Sequence, residues 1–301
     1  MTKAVVTGGC GFIGSNLVDR LVDMGWEVCI IDNNPSTGHV NGQASYLIAD
    51  ICELDRHYRE VFENADYVFH LAAEVKIQDC IKNPELAIKT NVLGTFNMLE
   101  QARKAGVKRF MFSSTAAIYG SGFRLGAVKE DAPADCLNPY SITKFTGEQL
   151  CKMYSDLYDL ETVVFRYFNV YGKRQHSQGQ YAPVMGVFNR QISAGEPMTV
   201  VGNGIQTRDY INVSDVVNAN VLFSKQIAEF KGDIFNIGTG KKTSILDLVE
   251  MLGGKDAEYV NLPPREGEVK HSRADIGKAR GFGWNPQINL EEWINEQDNS
   301  L

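Results

Sequence analysis

The stretch Lys3-Ala4-Val5-Val6-Thr7-Gly8-Gly9-Cys10-Gly11-Phe12-Ile13-Gly14 decides the fold. A short β-branched run enters glycines at Gly8, Gly11 and Gly14, and Ser15-Asn16-Leu17-Val18-Asp19-Arg20-Leu21-Val22 follows, which predicts strand, tight turn and helix. Gly8 would allow the turn, Gly11 would let the backbone approach a pyrophosphate, and Gly14 would let the helix pack closely on its sheet. The pyrophosphate would sit on the amide-rich helix start. A second apolar strand, Val28-Cys29-Ile30-Ile31, ends on Asp32, at the separation expected of a group that accepts hydrogen bonds from an adenine ribose. Glycine spacing alone fits any βα turn. Strand, glycines, helix, strand and terminal acid in succession point to a bound dinucleotide.

Working outward, Tyr46-Leu47-Ile48-Ala49-Asp50-Ile51 reads as a third strand running into a loop beside the adenine. There Asp50 would accept from the exocyclic amine, or simply face solvent, and Ile51 would cover the ring. Tyr67-Val68-Phe69-His70-Leu71-Ala72-Ala73 is a strand ending in small residues, which leave room for a cofactor across its carboxyl end. Pro84 to Ala105 has helical spacing at Leu86, Ile88, Val92, Phe96, Leu99 and Ala102, and Gly106 stops it before a strand from Val107 to Phe112. This alternation predicts a parallel sheet covered on both faces, with right-handed crossovers.

After Ser113-Ser114-Thr115, a helix opens at Asn138-Pro139-Tyr140, and Leu160 to Phe168 supplies another strand ending on Asn169. The rhythm then weakens: a polar loop from Gly172 to Tyr181, a helix from Ala182 to Ala194, a strand Met198-Thr199-Val200-Val201, a helix from Ser214 to Phe223 and a strand Ile234-Phe235-Asn236-Ile237. The expected fold class is α/β, a Rossmann-type doubly wound parallel sheet with a smaller, interleaved C-terminal substrate-binding lobe. Residues 1–171 would be mainly the dinucleotide domain and 172–301 mainly the lobe, with segments near 209–223 and 233–239 returning to the sheet.

The 301 residues are 44% hydrophobic and 22% charged, as in soluble enzymes, and the formal net charge of -7 argues against a nucleic-acid partner. Six cysteines, Cys10, Cys29, Cys52, Cys80, Cys136 and Cys151, lack metal-ligand spacing; free thiols in a reducing compartment, and no metal site, are expected. No secretory leader or membrane-length apolar run is apparent, so the expected location is cytoplasmic.

Tyr140 and Lys144 are four apart, so a helix places them on one face. A free tyrosine, with a pKa near 10, is a poor base. An ammonium one turn away and a positive nicotinamide would both favour the phenolate, and Thr115 would hydrogen-bond the reacting hydroxyl. From spacing alone the two would be an ordinary surface pair.

Taken together, GGCGFIG, Asp32, Asp50-Ile51, His70-Leu71-Ala72-Ala73, Ser113-Ser114-Thr115, Tyr140-x-x-x-Lys144 and Arg166-Tyr167-Phe168-Asn169-Val170-Tyr171-Gly172 resemble the extended short-chain dehydrogenase/reductase family. Within it the chain looks most like the nucleotide-sugar epimerases typified by UDP-glucose (UDP-galactose) 4-epimerase, over residues 1 to about 290. The resemblance implies Tyr140 as proton carrier, Lys144 as holder of the nicotinamide ribose and Thr115 as partner of the reacting hydroxyl. It implies NAD held by Gly8, Gly11, Phe12, Ile13, Gly14, Asp32, Asn33, Asp50, Ile51, Leu71, Ala72, Ala73, Asn91, Ser113, Tyr140 and Lys144. For a UDP-sugar it implies Lys76, Thr115, Asn169, Val200, Arg208, Arg265, Glu268 and Ser272, with Arg208 clamping the diphosphate and Arg265 and Glu268 holding phosphate and ribose. Asp32 would repel a 2′-phosphate, which favours NAD over NADP. The two apolar helices, near Leu86 to Ala105 and Tyr140 to Leu157, resemble those of a homodimer interface.

The reaction has to be chosen from details. Sugar 4,6-dehydratases of this family place Asp-Glu after the threonine, whereas this chain has Thr115-Ala116-Ala117, and alanine moves no proton. Related decarboxylases retain a glutamate there and need a basic contact for the uronate. Lys76, Arg124, Arg174, His176 and Arg190 leave such a contact open, as a uronate 4-epimerase would also require. A one-way reductase and a non-catalytic nucleotide binder are the remaining alternatives. The stretch Glu74-Val75-Lys76-Ile77-Gln78-Asp79 departs from the type pattern: Glu74 and Lys76 would reach the sugar or pair with one another. Ser272, seven places after Arg265, stands where a large tyrosine accompanies the unsubstituted hexoses, so its small side chain would admit an N-acetylated sugar.

Overall fold

Apolar runs that do not alternate with polar residues belong in a sheet covered on both faces. The computed structural model describes residues 1–34, 39–53, 55–175, 184–263 and 270–298. Its strands in chain order are β1 (Lys3–Thr7), β2 (Glu27–Asp32), β3 (Ser45–Ile48), β4 (Tyr67–His70), β5 (Arg109–Thr115), β6 (Glu161–Tyr167), β7 (Asn169–Tyr171), β8 (Met198–Val201), β9 (Thr207–Arg208), β10 (Tyr210–Asn212), β11 (Lys231–Ile237), β12 (Thr243–Ser244) and β13 (Tyr259–Leu262). Seven form one parallel sheet in the order β11-β6-β5-β4-β1-β2-β3. The chain reverses its direction of progress at β1 and β4, so the carboxyl ends of these strands flank the crevice where such folds take ligands.

The pleat divides the core by parity. Ala4, Val6, Met111, Val163 and Phe165 face the layer containing Leu17, Val18, Leu21, Val216 and Phe223. Val5, Val68, Phe110, Phe112 and Val164 face Tyr58, Phe62, Met98, Leu99, Cys151 and Tyr154. Helices Phe12–Asp23 and Val213–Ser224 therefore cover one face, while Arg56–Phe62, Thr95–Ala105 and Pro139–Tyr158 cover the other. The late strand β11 pairs with β6, and Arg109 at the start of β5 donates to the carbonyls of Phe223, Ser224 and Gln226, capping the end of helix Val213–Ser224. The smaller lobe has its own core, including Tyr171, Met185, Phe188, Met198, Val200, Leu248 and Ile294.

β3 ends at Ile48 and runs into the expected loop, where the Asp50 carboxylate accepts the Cys52 amide. One expectation changes. The single helix expected from Pro84 to Ala105 is instead Pro84–Ile88, a π-helical turn over Lys89–Gly94, and Thr95–Ala105. Gly94 sits on Ile51, where an added Cβ would come within 2.5 Å of Ile51 Cδ1, and the wider turn carries Asn91 inward. All six cysteines are free, and among the described residues no helix is long and apolar enough to cross a membrane.

Candidate active site

The catalytic helix starts where its sequence says it should. Asn138 caps it in a reciprocal pair with Ser141, and Pro139 occupies the first turn, where no amide donor is needed. That start sets the phase of Tyr140, Lys144 and Glu148 on successive turns. Burial pushes the Tyr140 phenol up to about 12, and the Thr115 hydroxyl, at the end of β5, acts against it to lower the pKa. Lys144, 3% exposed, donates to the Ser113 carbonyl at 2.8 Å and lies 5.0 Å from the centre of the Phe112 ring. Burial lowers its ammonium to about 8. Burial disfavours both charges, and Thr115 acts against it on Tyr140.

Sequence reasoning missed what lies beneath. Glu148 takes the Arg166 guanidinium in a two-pronged pair at 2.9 and 2.6 Å and accepts from Ser114 Oγ at 2.6 Å, with both charged side chains almost sealed from solvent. Neighbouring serines of β5 thus look opposite ways: Ser114 towards the catalytic helix, and Ser113 Oγ to Tyr167, whose hydroxyl also accepts from Asn220 on the other face. The available signal was Glu148 one turn beyond Lys144, opposite an arginine in an apolar strand.

At the first turn Gly8 has φ +69°, and a Cβ there would lie 2.6 Å from the Ala72 nitrogen; a Cβ on Gly14 would collide with the Gly8 carbonyl. At Gly11, by contrast, an added Cβ would meet only Gly8 O, at 3.3 Å, and the helix start carries no side-chain cap. Bare amides beside a glycine cradle fit a diphosphate. Asp32 Oδ2 accepts from the Cys10 amide at 2.9 Å and Oδ1 from Asn34, leaving acceptor capacity for ribose hydroxyls. Phe12, Ile13 and the exposed Asn33 border this turn, and Leu71 and Ala72 donate their amides to Thr7 O and Thr7 Oγ1, with Ala73 following. Ile51 is a correction: it is 4% exposed, packed in the core under Gly94, so its side chain offers no ring cover. Both hydrogens of the Asn91 carboxamide go to Glu74 O and Thr143 Oγ1, and its oxygen accepts the Glu74 amide, so it braces the turn and the catalytic helix with one acceptor lone pair left.

Of the substrate candidates, Asn169 and Ser272 come together: Asn169 Nδ2 donates to Asp209 O at 3.2 Å and to Ser272 Oγ at 3.4 Å. Between them the buried Asp209, not foreseen from sequence, accepts from Thr239 N and Oγ1, Gly240 N and Ala274 N, fixing the neighbouring Arg208. Arg208 itself rests on the carbonyls of Thr207 and Lys270. Val200 is fully buried in the lobe core, so its side chain is withdrawn from any ligand. Lys76 is exposed and 3.9 Å from Asp79, not paired with Glu74. Arg174 is bound to Asp19 at 2.5 Å. Arg265, Glu268, His176 and the Arg124 side chain lie outside the described residues.

A doubly wound sheet with a glycine cradle, an acid ending β2 and a Thr-Tyr-Lys cluster defines an NAD-binding enzyme of the short-chain dehydrogenase/reductase type. The sequence pattern of the NAD dependent epimerase/dehydratase family matches residues 4–238, and the chain belongs to that family. It is 38% identical to a putative UDP-glucose 4-epimerase of Methanocaldococcus jannaschii, over 96% of this chain and 95% of that one. Among solved structures it is similar to the UDP-glucose 4-epimerase of Thermotoga maritima with UDP-glucose, at 36% identity, TM-score 0.91, and 97% and 96% of the two chains. It is also similar to the UDP-N-acetylglucosamine 4-epimerase of Methanobrevibacter ruminantium in complex with UDP-N-acetylmuramic acid, at 31%, TM-score 0.92, and 98% and 96%. Several similar structures hold NAD, and NAD is the cofactor here. The reaction is of the nucleotide-sugar epimerase/dehydratase type.

Proposed function

We propose that the protein is a UDP-sugar 4-epimerase, inverting C4 of a UDP-hexose or UDP-N-acetylhexosamine through a 4-keto sugar. The observation that carries this reading is Tyr140 on the catalytic helix beside Thr115 at the end of β5, with two alanines after the threonine: a set that can shuttle one proton but lacks the acid pair needed to eliminate water. Bound NAD supplies hydride acceptance and return, and its positive ring adds the charge that brings the Tyr140 phenolate towards working pH. Tyr140 takes the C4 hydroxyl proton and later gives it back, Thr115 holds that hydroxyl, and Lys144, with donors left beyond Ser113, holds the ribose. For inversion the keto sugar turns between the two steps, so binding is concentrated on the nucleotide and diphosphate, where Arg208, Arg265 and Glu268 are proposed to act. A guanidinium fork suits that diphosphate.

The size of the C2 substituent is proposed to be read at Ser272. Its hydroxyl accepts from Asn169 and the Asp209 amide, which leaves its proton to donate to an acetamide carbonyl. Incubation with separate UDP-hexoses, UDP-N-acetylhexosamines and UDP-uronates, with products identified by mass and configuration, tests both points. Unchanged mass with inverted C4 is expected; loss of water or carbon dioxide would overturn the reaction, and turnover of uronates alone would support the uronate epimerase alternative. Against that alternative, Arg174 is already held by Asp19. Ser272→Tyr is expected to suppress N-acetylated turnover selectively.

Exposed Leu86, Ile88, Leu93 and Phe96 on one helical stretch, with Ile142, Leu157 and Tyr158 on the catalytic helix, support a homodimer. A sedimentation result showing only monomer at micromolar concentration would remove it. Six free cysteines fit a reducing, cytoplasmic setting.

A further inference from the structure

A buried histidine joins the two halves of the cofactor site. His70, 1% exposed at the end of β4, lies 2.6 Å from Thr7 Oγ1 through Nδ1 and 3.0 Å from Thr95 Oγ1 through Nε2. Thr7, Thr95, Asn91 and Thr143 are equally buried, so each proton has to be accounted for. Thr95 gives its one hydroxyl proton to the Asn91 carbonyl at 2.7 Å, so its oxygen accepts from the ring: Nε2 carries the hydrogen. Nδ1 is then bare and accepts from Thr7 Oγ1, whose oxygen accepts the Ala72 amide at 3.2 Å.

The Asn91 side chain extends the chain of bonds. Its Nδ2 donates to Glu74 O and to Thr143 Oγ1, both at 3.0 Å, and its Oδ1 accepts the Glu74 amide at 2.8 Å. Thr143 spends its proton on the Tyr140 carbonyl at 2.8 Å. Hydrogen bonds thus run from Ala72, through Thr7, His70 and Thr95, to the Asn91 main-chain carbonyl, and the side chain of that same residue carries them on to the first turn of the catalytic helix. Burial, followed by the charge of Lys144, lowers the imidazole to about 3, so the ring stays neutral and its pattern does not change with pH.

We propose that His70 is a positioning residue, locked as the Nε2–H tautomer, whose two nitrogens hold the Ala72 side of the NAD site and the Asn91 brace of the catalytic helix in one register. The inference rests on the NAD reading. Its test therefore begins on the protein itself: in ¹⁵N-histidine NMR, His70 is expected to show a bare Nδ1 and a protonated Nε2 from pH 5 to pH 9 (about the usable range for a group so far from titration). An Nδ1–H tautomer, or titration in that range, overturns it whether or not NAD binds.

Two side-chain isosteres then separate the arms. His70→Asn places a carboxamide oxygen near the Nδ1 position and no group at the Nε2 position; His70→Gln places a carboxamide nitrogen near Nε2 and no group at Nδ1. With apoprotein titrated with NAD, and UDP-sugar kinetics run at saturating NAD, His70→Asn is expected to keep NAD affinity within about threefold and lose about tenfold in kcat, the effect of one buried bond left unmade. His70→Gln is expected to lose about tenfold in NAD affinity with a smaller fall in kcat. Equal losses in both quantities for both variants, or lower thermal stability with both quantities unchanged, would reduce His70 to a core residue. Failure of the wild type to bind NAD would instead overturn the cofactor assignment.

Discussion

Two cations are buried against neighbouring strands of the same sheet, and they are treated differently. Arg166 is opposed by burial, yet its two-pronged bond to Glu148 restores and raises its pKa, with Tyr119 beneath the guanidinium and the Glu130 carbonyl at its edge. Lys144, one turn along the helix from Glu148, has a single carbonyl, and burial depresses it to about 8. Where the charge only has to hold helix to sheet, its bonds are complete. Where a cofactor and substrate enter, valence is left open, and the cost of burying an incompletely bonded ammonium is tolerated in the protein alone.

The difference separates chemistry from stability, and the largest expected effect lies on the chemical side. Tyr140→Phe is expected to cut turnover about a thousandfold or more while NAD content and thermal stability stay near wild type, because the ring volume remains and the proton carrier is gone. Near-normal epimerisation by this variant would break the mechanism. Glu148→Ala is the opposite case. Stranding Arg166 should lower the unfolding free energy by about 3–5 kcal/mol, measured in urea, with the turnover of the remaining folded fraction much less affected than by Tyr140→Phe.

A pH experiment sharpens the same contrast. Lys144 falls from an ordinary 10.5 to about 8 in the folded protein, so below pH 8 both states hold the proton and its burial is a constant penalty. Between those values the unfolded chain keeps a proton that the native protein has shed. Stability of wild type relative to Lys144→Met should therefore rise with pH through this window, by up to about 3 kcal/mol, in paired denaturation curves. A flat difference would mean that the ammonium is better satisfied than its one carbonyl bond indicates. Thr115→Ala completes the series with the smallest loss, about tenfold in kcat, since it removes one hydrogen bond and no proton carrier.

Much of the fold was legible because its punctuation is local. Lys3 to Gly14, the acid ending β2 and the Asn138-Pro139 helix start each act through neighbours in sequence, and each stands where it was expected. Tyr140 over Lys144 follows from helical spacing alone. The turn at Lys89–Gly94 did not, because its apolar residues keep a helical rhythm while the cause of the extra width, Gly94 on Ile51 and Asn91 on Glu74, lies in distant segments. For the same reason the side chains of Ile51 and Val200, expected at the binding sites, turned out to pack in the core.

The sequence by itself determined the class of fold, the cofactor cradle and the residues able to carry a proton, since these depend on spacing, backbone permissiveness and side-chain chemistry. Only the tertiary structure decided which carboxylate neutralises Arg166, which carbonyl holds Lys144 and which nitrogen of His70 is protonated. Those are questions of how few donors and acceptors reach a buried group, and the answer comes from segments up to 63 residues apart, as between Thr7 and His70.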